Sequence, residues 1–89
     1  MVREGYLKNG PKSREGRGSE KFVRVSWDKA LDLVASEMKR VYGEYGPSAV
    51  FGRSYGWMST GKVNASINLQ QRLLNFCGGF IGCENSYST

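Results

Sequence analysis

Two aromatic residues with hydrogen-bonding heads, Tyr55 and Trp57, flank Gly56 in the stretch Ser54-Tyr55-Gly56-Trp57-Met58-Ser59. On an extended loop, residues two apart point the same way, which would present a phenol O–H and an indole N–H to one spot. Two neutral donors aimed at one point suit an oxo group or a polarised X=O bond. The competing reading is that both rings pack the loop against a core, and the residues alone leave both readings open. Gly52, Gly56 and Gly61 would let backbone amides approach an anion, but the Walker A pattern and G-x-G-x-x-G are both missing, so the phosphate signal is generic.

Other chemistries are harder to build from this composition. The chain has no histidine, which removes self-contained Ser-His-Asp and Cys-His machinery. Its two cysteines, Cys77 and Cys83, form no C-x-x-C and are too few for a disulfide framework, so free, half-buried thiols are expected. The net charge of +5 permits nucleic acid, acidic membranes or phosphorylated cofactors as partners. Seven of the thirteen basic residues lie within the first 25 positions, however, which reads as a solvated arm. No apolar run approaches the roughly 18 residues of a membrane span, and no apolar signal core opens the chain, so it reads as soluble and untargeted as written. With 89 residues it is at most one small domain, burying about 60 to 65% of its unfolded surface.

The elements that must position the aromatic pair follow from periodicity. Residues 1–21 are polar, charged and glycine-rich, with Val2, Tyr6 and Leu7 as apolar anchors and Asn9-Gly10-Pro11 as a turn. They read as an irregular basic arm. Phe22-Val23-Arg24-Val25 alternates as a short strand. Ser26 then suits a helix N-cap, with Asp28 in the first turn. Trp27, Ala30, Leu31, Val34, Met38, Val41, Tyr42 and Tyr45 recur at intervals of three and four, which predicts a helix over 27–45 with an apolar core stripe, stopped by Gly46 and Pro47.

Ser48-Ala49-Val50-Phe51-Gly52 reads as a buried strand of an α/β unit. That would place Arg53 to Ser59 at the carboxyl edge of a sheet, where ligands of open α/β sheets bind. A second helix is predicted over 62–77, with Val63, Ile67, Leu74 and Cys77 on one face. Asn64, Asn68, Gln70 and Gln71 make its other face amide-rich, able to meet solvent or a polar cofactor, and Gly78-Gly79 caps it. Residues 80–89 run on as a loop. The fold class is therefore α/β, with an irregular arm over 1–21 and a partial α/β domain over 22–89.

Five motifs carry a resemblance: F-V-R-V-S-W-D-K-A-L-D-L-V-A (Phe22 to Ala35), Y-G-P-S-A-V (Tyr45 to Val50), S-Y-G-W-x-S (Ser54 to Ser59), L-L-N-x-x-G-G (Leu73 to Gly79) and Y-S-T (Tyr87 to Thr89). In this order and spacing the chain resembles the molybdopterin oxidoreductases of the dimethyl sulfoxide reductase family, in the branch that reduces trimethylamine N-oxide, dimethyl sulfoxide and biotin sulfoxide. The likeness covers essentially the whole chain but only an early segment of those enzymes.

The resemblance implies molybdenum held by two molybdopterin guanine dinucleotides, a bis(molybdopterin guanine dinucleotide) centre, and by one serine oxygen, which falls on Ser88. A serine alkoxide is a hard donor suited to high-valent molybdenum. It further implies that Trp57 donates its indole N–H to the oxygen at the metal, that Tyr55 offers its hydroxyl to substrate or oxo group, and that Tyr55, Gly56, Trp57, Met58 and Ser59 touch the cofactor. The reaction would be reduction of an N-oxide or S-oxide by oxygen-atom transfer, with electrons from a donor protein such as a cytochrome. The version Asn85-Ser86-Tyr87-Ser88 leans toward the biotin sulfoxide reductases, and Asn64 stands where the amine- and sulfoxide-reducing members are expected to carry histidine. The compartment would be periplasmic if the full-length chain carries a twin-arginine signal and cytoplasmic otherwise. The 89 residues alone are expected to be inactive. The alternatives are a non-catalytic α/β binding or interaction module and a basic nucleic-acid-binding domain.

Overall fold

In the computed structural model, residues 1–84 are described, and the chain divides into two units, residues 1–39 and residues 40 onward. The first unit starts with β1 (Val2–Arg3), α1 (Glu4–Asn9) and a 3-10 turn (Gly10–Lys12), then returns as β2 (Phe22–Val23) before α2 (Trp27–Tyr45) begins. The two strands pair antiparallel, Val2 opposite Val23 and Arg3 opposite Phe22. Glu20 organises this end. Its carboxylate accepts from the Arg3 guanidinium and from the Gly5 N–H at 2.7 Å, while Arg3 also donates to the Ser13 carbonyl at 2.7 Å.

This corrects the irregular backbone expected at the start of the 1–21 arm, while its basic residues Lys8, Lys12, Arg14, Arg17 and Lys21 are exposed, as a solvated arm requires. The Arg3 and Glu20 side chains are only 22% and 14% exposed, so this basic residue is tied inside the unit. A two-residue strand and a six-residue helix are too short to display periodicity, and such a helix is not stable alone. Both form because a partly buried ion pair and a strand partner distant in sequence hold them.

The helix predicted over 27–45 is found with those bounds. Ser26 caps it as expected, accepting the Lys29 N–H at its Oγ (3.1 Å) and the Ala30 N–H at its carbonyl (3.0 Å). The stripe is only partly covered. Ala30, Leu33 and Met38 are half-buried around an apolar hollow of about 330 Å³ that Val2 and Tyr6 also line, whereas Trp27 and Leu31 are 83% and 61% exposed.

The second unit is closed by backbone bonds around Ile81. Its N–H donates to the Val50 carbonyl (2.8 Å) and its carbonyl accepts the Gly52 N–H (2.9 Å), which makes a parallel bridge between Phe51 and Ile81. The buried strand expected over 48–52 is thus corrected: Pro47–Ala49 is a 3-10 turn, and Phe51, itself exposed, forms a single bridge. Gly52 is the residue buried there. A Cβ on it would lie 2.6 Å from Leu74 Cδ1 and 2.7 Å from Phe80 Cδ2.

The second helix, α3 (Ser66–Phe76), starts later than the sequence suggests, because Lys62 and Val63 belong to a turn closed by an antiparallel bridge between Thr60 and Asn64. Its end follows expectation. Gly78 and Gly79 have φ of 125° and 114°, and the Gly79 N–H returns to the Leu74 carbonyl at 2.9 Å. The Tyr42 hydroxyl donates to the Gly79 carbonyl at 2.6 Å. Cys77 and Cys83 are exposed, not half-buried. Helices with a small sheet fit the α/β class.

Substituting Gly52→Ala should overpack the Leu74–Phe80 contact at a cost of about 1–3 kcal/mol. Amide exchange at Ile81 should then accelerate roughly 5- to 150-fold; unchanged exchange would mean both side chains yield freely. A second expectation concerns alkaline pH. Desolvation, and then the neighbouring Cys77, push the Tyr42 hydroxyl above its ordinary 10.0. Its folded value lies above the unfolded one, so the contribution of the neutral hydroxyl is complete below pH 10 and is lost as pH rises through the raised value. The unfolding midpoint should fall above pH 10 in the wild type, and Tyr42→Phe should flatten that fall.

Candidate functional site

The candidate loop leaves the Gly52 bridge and reaches α3 through the Thr60–Asn64 turn. A second tie holds it near its start, where Ser54 Oγ and Ser66 Oγ lie 2.6 Å apart, Ser66 being the first residue of α3. Between these ties Gly56 to Ser59 form a turn, closed by the Ser59 N–H donating to the Gly56 carbonyl at 3.1 Å. Trp57 and Met58 are its two central residues.

That turn corrects the extended backbone expected for the loop. Alternation on a strand would have aimed Tyr55 and Trp57 at one point, but Trp57 already belongs to the bend, so the two-residue spacing does not by itself align the rings. Their accessibility is clear: Tyr55 is 55% and Trp57 80% exposed. Packing of both rings against a core is therefore not what this unit does with them.

Met58 carries a feature invisible in the sequence. Its φ is 60°, and it is the one non-glycine residue with positive φ among those described. Such turns ordinarily give that position to Gly or Asn. A side chain in the left-handed region costs about 1–2 kcal/mol. Met58 is also 84% exposed, so no burial of its own side chain offsets the strain. Observed strain of this kind clusters at ligand clamps and active sites. Of the five residues expected to touch a cofactor, Tyr55, Gly56, Trp57 and Met58 are exposed and Ser59 is half-buried. Ser88, expected as the metal ligand, lies outside the described residues.

Along the sequence, the charge flanking the loop has one sign. Positions 46 to 83 contain Arg53, Lys62 and Arg72 and no Asp or Glu. Neutral donors within a cationic stretch fit an electron-rich, anionic group such as a phosphorylated cofactor presents. No group of three or more His, Cys, Asp or Glu able to hold a metal ion occurs among the described residues. Nor is any helix there long and apolar enough to cross a membrane. The Ser54–Ser66 tie and the Met58 backbone escaped the sequence reading, since neither a serine pair twelve residues apart nor a dihedral angle leaves a pattern.

Comparison with known proteins is specific. The family model described as molybdopterin oxidoreductase matches residues 1–89. The chain is 51% identical over 90 residues to the trimethylamine-N-oxide reductase of Haemophilus influenzae, covering 100% of this chain and 11% of that protein. It is 50% identical over 90 residues to a dimethyl sulfoxide/trimethylamine N-oxide reductase of Cereibacter sphaeroides, again 100% and 11%. Against the biotin sulfoxide reductase of Cereibacter sphaeroides the identity is 51% over 89 residues, with 99% and 12% covered. The chain thus spans about a tenth of the length of the curated relatives it matches.

Relieving the left-handed strain should preserve the turn, whereas a β-branched side chain should break it. Met58→Gly is expected to leave amide exchange at Ser59 unchanged or slower, and Met58→Ile to accelerate it about 5- to 30-fold. Equal exchange in the two variants would show that the backbone at 58 is not held left-handed.

Proposed function

The chain belongs to the molybdopterin oxidoreductase family, and from that premise we propose that it contributes the segment Tyr55 to Ser59 and Ser88 to the active site of a longer enzyme that reduces an N-oxide or S-oxide. The observation that carries this reading is the identity of about one residue in two, across the whole chain, to three reductases named for such substrates. The exposed, strained loop with its two neutral donors supports it from the structure.

Bound as bis(molybdopterin guanine dinucleotide), the cofactor supplies two-electron oxygen-atom transfer chemistry. Within that arrangement Ser88 offers a hard oxygen ligand. The Trp57 indole N–H and the Tyr55 hydroxyl donate to the substrate oxygen, where negative charge grows as its bond to nitrogen or sulfur weakens. Being neutral, they stabilise that charge without adding a formal charge to the site. The turn at Met58 fixes where Trp57 stands, and the Ser54–Ser66 contact ties the start of the loop to the start of α3. An electron donor protein such as a cytochrome would supply the two electrons, which with two protons carry the oxygen away as water. The 89 residues alone supply one wall of such a site, so the isolated segment neither retains molybdenum nor turns over.

In the full-length enzyme, Ser88→Ala should abolish turnover. Trp57→Phe, which keeps an aromatic ring and removes the donor, should leave molybdenum content unchanged and lower kcat on the order of 100-fold. Wild-type turnover in the Ser88 variant would sink the ligand assignment, and loss of metal from the Trp57 variant would recast that residue as structural.

A further inference from the structure

One buried polar atom on α3 has no hydrogen-bond partner. It is Oε1 of Gln70, the only such side-chain atom among the described residues. An acceptor left buried and unpaired costs more than the finished bond would contribute, so a structure that keeps one has a reason for it. The position of Gln70 on the helix supplies that reason.

Ser66, Gln70 and Leu74 follow one another at intervals of four, which sets them along one side of α3. Both outer members of this row meet the segment that leads into the candidate loop. Ser66 Oγ stands 2.6 Å from Ser54 Oγ, and Leu74 Cδ1 lies 2.6 Å from where a Cβ on Gly52 would be. Gln70 is midway, about 6 Å along the helix axis from each. Side chains on a helix lean toward its N-terminus, so the Gln70 carboxamide leans toward Ser66 and Leu74 leans toward Gln70. Because the oxygen is covered by atoms of this chain, a group arriving from outside has no open approach to it. Its donor has to come from the same unit.

The serine pair holds such a donor. Each hydroxyl carries one proton, and only one of the two can lie between Ser54 and Ser66. The other has no acceptor among the described residues. One helical turn further along stands the acceptor without a donor. The row therefore brings a spare O–H and an unpaired C=O to the point where the loop is tied to α3.

We propose that Gln70 is a positioning residue for the candidate loop. Its carboxamide oxygen takes the Ser66 proton, which directs the Ser54 proton onto Ser66 and makes a chain of three, Ser54 to Ser66 to Gln70, at the start of the loop. The last bond is open in this structure, and it closes by rotation about the Gln70 side-chain torsions, since helical residues four apart are within side-chain reach. Each bond of such a chain polarises the next, so closing it strengthens the Ser54–Ser66 tie from which Tyr55 and Trp57 extend. Gln70 acts through that tie and not on the substrate. Its bearing on catalysis rests on the reductase reading above.

The test uses the full-length protein. Gln70→Met keeps the length of the side chain and removes the acceptor, whereas Gln70→Glu keeps the acceptor and removes the amide donor. Amide exchange at Ser59, whose N–H closes the turn of the loop, is measured because it is independent of turnover. Gln70→Met should accelerate it about 2- to 10-fold, in line with one hydrogen bond, and Gln70→Glu should restore the wild-type rate. In a Ser66→Ala background Gln70→Met should add nothing, since the chain is already cut. A full effect without Ser66, or no rescue by Gln70→Glu, is the pattern of packing alone and overturns the role, as does wild-type exchange in Gln70→Met. Loss of molybdenum from Gln70→Met with Ser59 exchange unchanged also overturns it, because the oxygen would then serve the cofactor. If exchange follows the expected pattern while the full-length protein reduces no oxide, the chain of three stands and the reductase reading falls.

Discussion

The Tyr42 hydroxyl is the point on which the second unit depends. By donating to the Gly79 carbonyl it fastens the last turns of α2 to the strap that ends α3. That strap then returns through Ile81, whose two backbone bonds to Val50 and Gly52 fix where the candidate loop begins. The glycine pair at 78 and 79 makes the geometry accessible, since both residues sit at positive φ that a side chain would oppose. Burial adds little to this anchoring. Among the described residues only Ala65 and Leu74 are buried hydrophobics, while Phe51, Leu73 and Phe76 are exposed.

That imbalance has an energetic meaning. Full burial of a large apolar side chain contributes about 1.5–3 kcal/mol, whereas a net backbone hydrogen bond contributes about 1 kcal/mol. A segment held by hydrogen bonds with its large apolar side chains in solvent has left its greatest source of stability unused. Exposed apolar surface of this kind marks sites of contact with further protein. The same conclusion comes independently from the relatives, of which the chain spans about a tenth. The strain at Met58 belongs to the same logic. A left-handed methionine persists only when its surroundings over-determine it, and here the ties at Gly52, Ser54–Ser66 and Thr60–Asn64 bracket it on both sides.

How much of this was legible in the sequence depended on the length of each element. A helix of nineteen residues displays its period several times over, and Ser26 marks its start by side-chain chemistry alone, so α2 could be bounded to the residue. The glycine pair marked the end of α3 for the same local reason. Elements made by distant partners left no such trace. The arm became strand and helix because Glu20 draws in Arg3 and the Gly5 N–H from fifteen or more residues away. The run 48–52 had the composition of a strand, yet only one residue of it pairs, since a strand needs a neighbour and Ile81 supplies a single bridge. At the site, the residue types were readable and the backbone was not. The donors Tyr55 and Trp57 could be named, but the turn that separates them is a property of the dihedral angle at Met58.

The choice of neutral donors in a cationic stretch follows from what each kind of group does to a reacting oxygen. A lysine or arginine at the oxygen would bind the polar oxide strongly before reaction, and catalysis gains only from contacts that strengthen as charge develops. An indole N–H and a phenol O–H make modest bonds to a neutral oxide and better ones to an oxygen taking on charge. Lys62 stands on the turn beyond the loop and Arg72 along α3. No carboxylate occurs from 46 to 83. The ties Ser54–Ser66 and Thr60–Asn64 hold the loop at both ends, so the placement of the two donors depends on backbone and hydroxyl contacts and not on burial of their rings.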